Sequence, residues 1–290
     1  MYAAYFGLKE NPFKLTPEPR YLFLSEPHRD VLLYLAYGIK ERKGFVLISG
    51  GIGTGKTTIC RTLLNLLDSH PSVETALIFN TAISDLELLE AIVKEFGIEI
   101  PRETGTKKAY VDALNDFLLK NFAAGKNAVL LIDEAQNLSH SVLEQIRMLS
   151  NLETEKEKLL QIILIGQPEL KTMLTLPALQ QLNDRITVRY DLIPLSADEV
   201  IAYIEHRLRV AGGPGKVKFT KGAYRAVYDF SEGVPRRINA LCDRAFLIAY
   251  TKNISKIDRW VIRHAARDIG SEYFQKTVGG RRKSWLHLNT

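Results

Sequence analysis

Cysteine is scarce: the 290 residues hold two, Cys60 and Cys242, with no paired metal-ligand spacing. That excludes a disulfide-stapled scaffold and a cysteine zinc site, and it fits a reducing compartment. No uninterrupted apolar stretch reaches the roughly 18 residues that a membrane span needs. Internal repeats and low-complexity tracts are also absent. The opening Met1-Tyr-Ala-Ala-Tyr-Phe-Gly-Leu-Lys lacks a basic start followed by an apolar core, so it is not a secretory signal. The expectation is a cytoplasmic protein, or one that docks from the cytoplasm.

What is present is ordinary globular composition, 46% hydrophobic and 25% charged. The length suggests two domains with a large core. The net charge of +6 is unevenly placed. Residues 201–290 carry 18 Lys and Arg against 7 Asp and Glu, whereas the first 200 residues are net acidic. Such asymmetry permits an acidic partner, DNA or an anionic membrane surface, although a solvated basic face gives the same count.

Residues 1–27 are rich in aromatics and prolines and read as a structured strap packed on the body. Thereafter short apolar runs alternate with helical periodicity. Phe45-Val-Leu-Ile-Ser, Thr75-Ala-Leu-Ile-Phe, Ala128-Val-Leu-Leu-Ile and Leu160-Gln-Ile-Ile-Leu-Ile read as buried strands. Helices are expected between them, at about 28–43, 57–67, 86–96, 107–122 and 141–152. This pattern predicts an α/β fold, a parallel sheet sandwiched by helices. After Pro194 strand signals disappear, and helices are expected at about 196–210, 221–231, 235–250 and 257–269. The expected organisation is therefore strap plus α/β domain over 1–194, a small all-helical domain over 195–270, and a basic tail over 271–290.

Gly50-Gly51-Ile52-Gly53-Thr54-Gly55-Lys56-Thr57 fits G-x-x-x-x-G-K-[ST] between a strand and a helix, which is the context of a P-loop. Its backbone N–H groups can wrap phosphates, aided by the helix N-terminus. Lys56 would reach the β- and γ-phosphates of ATP, Thr57 would ligate Mg²⁺, and Thr58 would donate to the α-phosphate. Asp133 and Glu134 leave the most apolar strand of the chain. Two acids there need something positive: Asp133 would join the Mg²⁺ shell, and Glu134 would orient and activate water.

Further polar residues fit hydrolysis. Asn80 ends the second strand, where an amide could hold Glu134 away from water. Gln167 ends a later strand and could touch the γ-phosphate, though a turn-forming role explains either residue equally well. Arg185, in a segment after the core strands, is a candidate arginine finger toward a neighbouring subunit, with Arg189 its competitor. Arg236 starts a helix of the small domain and could close over the phosphates.

These residues resemble the AAA+ ATPases of the ExeA/GspA type, the general secretion pathway protein A family. The likeness rests on Tyr5-Phe-Gly-Leu-Lys-Glu-Asn-Pro-Phe, Tyr21-Leu-Phe-Leu-Ser, Gly50–Thr58 and Asp133-Glu-Ala-Gln-Asn-Leu. Leu149-Ser-Asn-Leu-Glu-Thr, Leu160–Leu170 and Gly233-Val-Pro-Arg-Arg-Ile-Asn extend it over about residues 1–270. The resemblance implies a P-loop AAA+ fold with a helical lid, and a ring or filament of identical subunits. It places Glu134, Gln167 and Arg236 on the catalytic glutamate, first sensor and second sensor, and Arg185 in the finger region. Gly51 stands where an acidic residue is common, and Asp184 where a glutamine is usual. The secretion members continue into a membrane span and a peptidoglycan-binding domain, whereas this sequence ends at Thr290 after Arg281-Arg-Lys. The implied activity is Mg²⁺-dependent ATP hydrolysis driving assembly of a cell-envelope secretion or pilus-type apparatus. The alternatives are a DNA-binding transposition regulator, as in the related TniB and Mu B ATPases, and a nucleotide-dependent interaction switch with little turnover.

Overall fold

The computed structural model describes residues 2–16, 18–79, 81–100, 105–155, 157–213 and 216–270. Asn80 and the basic tail at 271–290 lie outside the described residues. A short helix α1 (Tyr2–Tyr5) and the strap precede α2 (Glu26–Lys40). There follow β1 (Phe45–Gly50), α3 (Lys56–Asp68), β2 (Val73–Ile78), α4 (Asp85–Glu95), α5 (Lys107–Ala123) and β3 (Asn127–Ile132). The α/β part is completed by α6 (His140–Leu149), β4 (Leu160–Gly166), α7 (Pro168–Leu174), α8 (Gln180–Arg185) and β5 (Ile186–Leu192).

The five strands pair in parallel in the order β2-β3-β4-β1-β5. Side chains alternate between faces with period two, so each central strand feeds two cores. Phe45, Leu47, Leu130 and Ile162 point into the core closed by α4, α5 and α6. Val46, Ile48, Val129 and Ile163 point into the opposite core, closed by α2 and α3. β4 is buried along its whole length and β3 along all but its first residue. Continuous apolar runs are what such doubly covered strands require. Serine and threonine side chains start the helices: Ser84 with Glu87 and Ser196 with Glu199 form capping boxes, and Thr106 and Ser139 cap α5 and α6. Each such cap contributes about 0.5–2 kcal/mol.

β5 is not among the strands expected from sequence. It lies at the sheet edge and alternates buried with exposed positions, so it shows no apolar run. The Arg185 segment therefore follows the four strands expected from sequence and leads directly into a fifth. β5 pairs with β1 from Phe45–Ile186 to Gly50–Leu192.

The small domain packs α9 (Ala197–Val210), α10 (Lys221–Ser231), α11 (Pro235–Thr251) and α12 (Arg259–Ile269) around Ile204, Val227, Phe246 and Ile262. Two two-residue strands, β6 (Lys218–Phe219) and β7 (Lys256–Ile257), pair beside them, so strand structure does not end at Pro194. The strap belongs in space to this helical cluster, since Phe6, Leu8, Phe13 and Tyr21 are buried within it. Phe6 and Phe13 both meet the Phe246 ring, and the Asp243 carboxylate accepts from Tyr2 and Asn11. The buried Arg207 fastens the strap further: its Nε donates to Pro12 O at 2.5 Å, and its guanidinium lies 4.5 Å from the Tyr21 ring centre. The chain thus crosses the α/β domain and returns to its own beginning.

Candidate functional site

The glycine-rich turn links β1 to α3 at the carboxyl end of the sheet. Gly53 (φ +80) and Gly55 (φ +106) adopt left-handed backbone that other residues resist. Both are also crowded. A Cβ on Gly53 would lie 2.6 Å from Arg236 Cβ, and one on Gly55 would lie 3.2 Å from His28 Nε2. His28 sits buried beneath the loop, where its Nδ1 pairs with Ser25 Oγ at 2.5 Å and its ring also hydrogen-bonds the Thr54 backbone. Burial holds its pKa below the usual imidazole value, so it braces the loop as a neutral ring. The helical period identifies His28 only as a member of α2; its place under the loop is set by tertiary packing.

Lys56 begins α3 and is buried at 6% exposure. Its Nζ donates to Gly50 O at 2.8 Å and Gly51 O at 3.1 Å. Burial lowers its pKa, and the nearby Glu134, Asp133 and Glu169 charges oppose that shift. Asp133 leaves β3, which lies two strands away from β1 in the sheet; the topology therefore brings the acids to the loop. Thr57 Oγ1 donates to Asp133 Oδ2 at 3.2 Å, and Glu134 N donates to Asp133 Oδ1 at 2.9 Å. Burial pushes the Asp133 carboxyl above its ordinary value; those two donors and Lys56 oppose the rise, and the Glu134 charge adds to it.

A buried carboxylate disfavoured as an anion and paired with a hydroxyl suits a hard divalent cation. Magnesium is commonly held by one or two carboxylates plus substrate phosphates, with no all-protein cage required. No cluster of three or more His, Cys, Asp or Glu that could hold a metal ion occurs among the described residues. Thr57 and Asp133 fit that role.

Glu134 itself has left-handed backbone (φ +53) and opens a single 3-10 turn over Ala135–Asn137. Its Oε2 accepts from Gln136 Nε2 at 2.6 Å and from Gln167 Nε2 at 3.3 Å. Gln167 therefore reaches the acid pair, as its place at the end of β4 allows. Arg236 stands at the start of α11, where its backbone N donates to Gly53 O at 3.2 Å. Gly233 makes this approach feasible: with φ +76, it sits so close to the interdomain linker that a Cβ would fall 1.9 Å from Leu195 O. The helical domain is thereby seated directly on the loop. One open cleft is lined by residues 52–58, Glu134, Gln167 and Arg236. Its far side is walled by Leu15 and Phe23 of the strap and Leu195, Tyr203 and Pro235 of the helical domain.

Arg185 and Arg189 are not in this cleft. Arg185 precedes β5 at the end of the sheet away from the glycine loop, about 20 Å along the strand. Its guanidinium donates to Arg147 O at 3.1 Å, Ser150 Oγ at 2.5 Å and Asn151 Oδ1 at 2.7 Å, closing the carboxyl end of α6. Arg189 donates to the backbone and side-chain oxygens of Asn183 at 2.7 and 2.8 Å. Both guanidiniums are thus engaged away from the cleft of their own subunit. Sequence pattern does not single out Arg207, which the fold brings to the cleft, or Gln136, which is bonded to the cleft residues Glu134 and Gln167. The Asp-Glu-Ala-Gln spacing is the one signal that marks Gln136.

Residues 39–174 match the family model described as an AAA domain. Over 93% of its length the chain is 46% identical to general secretion pathway protein A of Aeromonas hydrophila. This is an AAA+ protein of the general secretion pathway protein A type. It spans 48% of the length of that relative. Solved AAA+ structures share the architecture: the ORC2 protein of Aeropyrum pernix, determined as ADPNP-ADP complexes, superimposes with a TM-score of 0.65 at 16% identity, covering 90% of this chain and 71% of that one. The ORC1 protein of Aeropyrum pernix in complex with DNA gives 0.63 at 18% identity, covering 90% and 69%. At such identities the likeness is one of fold. Among the described residues, no helix of this AAA+ protein is long and apolar enough to cross a membrane.

Proposed function

We propose that this chain binds ATP with Mg²⁺ and hydrolyses it, and that the cycle serves assembly of a cell-envelope secretion or pilus-type apparatus. The observation that carries the reading is the convergence of Lys56, Thr57, Asp133 and Glu134 at one loop in a chain of the general secretion pathway protein A type. The loop N–H groups and Lys56 hold the phosphates. Thr57 and Asp133 hold Mg²⁺, which when bound offsets charge on the phosphate oxygens. Glu134 accepts a proton from water as its oxygen attacks the γ-phosphorus. The bond from that phosphorus to the bridging oxygen breaks, and ADP and phosphate leave. Gln167 and Arg236 line the same cleft and would sense the γ-phosphate, Arg236 from the helical domain. Phosphate release from Mg²⁺-ATP, compared between wild type and a Glu134→Gln chain, tests the reading.

The subunits act in a ring or filament, in the cytoplasm or at the cytoplasmic face of the inner membrane. Arg185, remote from its own cleft, would serve a neighbour's nucleotide. Turnover per subunit then rises with protein concentration. Mixing Arg185→Ala chains with Glu134→Gln chains restores part of the activity that each lacks alone, because one mixed interface has both groups intact. No recovery despite co-assembly moves the assignment to Arg189 and leaves Arg185 as the cap of α6.

A second reading, DNA binding as in a transposition regulator, draws on α12. Arg259, Arg263 and Arg267 are exposed at every fourth position, about 6 Å apart along the helix. None makes a salt bridge with a described residue, and Lys252 lies over the exposed Trp260 ring beside them. If this row holds phosphates, duplex DNA co-sediments with the chain and is released steeply by salt, and reversing the three arginines to glutamate abolishes it. Retention that is unchanged in the reversed chain excludes this face.

A further inference from the structure

Gln136 connects two groups of the cleft. Its side-chain Nε2 donates to Glu134 Oε2 at 2.6 Å, while its Oε1 accepts from the backbone N–H of Gln167 at 2.9 Å. One amide thus ties the acid after β3 to the end of β4. A Cβ on Gly166 would fall 2.7 Å from Leu170 Cδ2 and 2.9 Å from Gln136 Oε1, so glycine there leaves room for both side chains. Gln167 donates from its own Nε2 to the same carboxylate oxygen at 3.3 Å. Both amide donors therefore fall on Oε2, and Oε1 is the oxygen left for water.

We propose that Gln136 is a positioning residue for hydrolysis, holding Glu134 by one oxygen so that the other faces the attacking water. The proposal rests on the hydrolytic reading of Glu134. It adds that the reach of the acid is set by a side chain two residues along, which is itself anchored to the backbone of Gln167, just past the end of β4. The left-handed backbone at Glu134 places the acid on a turn, where such an anchor fixes its carboxylate. An unanchored carboxylate samples several rotamers, and a misplacement of about 1 Å in such a site can cost about 100-fold in rate.

The test compares Gln136→Ala and Gln136→Glu with wild type. The second variant retains an acceptor for the Gln167 N–H but loses the donor to Glu134, so it probes the anchor even if the alanine chain folds poorly. Phosphate release from Mg²⁺-ATP gives kcat and KM, and ADP titration gives Kd. The expected result is a kcat about 10–100-fold lower in both variants, with KM and the ADP Kd within about two-fold of wild type, as befits an effect on positioning rather than binding. Single-turnover rates in a Glu134→Gln background complete the cycle: there Gln136→Ala changes the residual rate by less than about two-fold. Wild-type kcat in the glutamate variant overturns the proposal. So does weakened ADP binding as the main effect, or an equal loss with and without Glu134. A Glu134→Gln chain that turns over normally is a separate result, which removes the hydrolytic reading beneath it.

Discussion

Lys56→Ala abolishes measurable nucleotide binding, an expected loss of at least about 100-fold in affinity for both ADP and ATP. The reason is geometric and electrostatic. Lys56 is a buried cation at the start of α3, beside the loop that would wrap the phosphates. Its Nζ rests on the Gly50 and Gly51 carbonyls. In a partly dry cleft a charge-assisted bond to phosphate is stronger than in water, and alanine leaves nothing in its place. Isothermal titration with ADP checks this directly. A thermal scan provides a second check, since a ligand at 100 times its Kd stabilises the native state by about 2.7 kcal/mol. Wild type should gain that increment and Lys56→Ala should not. Ordinary ADP affinity in a folded Lys56→Ala chain contradicts the assignment of the loop.

Glu134→Gln gives the opposite pattern: nucleotide affinity stays within about two-fold, and turnover falls by about 10²–10⁴-fold, the typical worth of a general base. Glutamine preserves size and can still bond Gln136 through its side-chain oxygen, but it cannot take a proton from water. Asp133, which pairs with Thr57, is untouched by this change. Binding and hydrolysis should therefore separate cleanly between the two variants, with Lys56 acting on the first and Glu134 on the second. Phosphate release at saturating Mg²⁺-ATP reads the difference. A Glu134→Gln chain with wild-type turnover would falsify the role given to the acid.

Much of the α/β domain is legible in the order of its residues. Doubly buried strands are mostly apolar on both faces, so β1, β3 and β4 are visible as apolar runs, β4 interrupted by the buried Gln161, and the glycine loop is visible between β1 and α3. The capping box of Ser196 and Glu199 marks α9 because the hydrogen bonds it satisfies are local. For the same reason Asp133 and Glu134 stand out: charge at the exit of an apolar strand is a local anomaly. β5 is not legible in this way. An edge strand covered on one side carries only a weak alternation, Ile186-Thr-Val-Arg-Tyr-Asp-Leu, and its pairing with β1 is a contact between distant parts of the chain.

Local sequence alone determined the nature of the α/β sheet, the phosphate loop and the identity of the two acids, because each depends on residues within a few positions of one another. Tertiary structure alone decided the rest. It put the strap's Phe6 and Phe13 against Phe246, more than two hundred residues along the chain, and drew the buried Arg207 onto the strap's backbone. It turned Arg185 toward the end of α6 and away from its own cleft. It also joined Glu134, Gln136 and Gln167 through the meeting of β3 and β4. Period and composition report which face of an element is buried; which partner covers that face, and which polar groups meet there, are settled only when non-local packing brings the elements together.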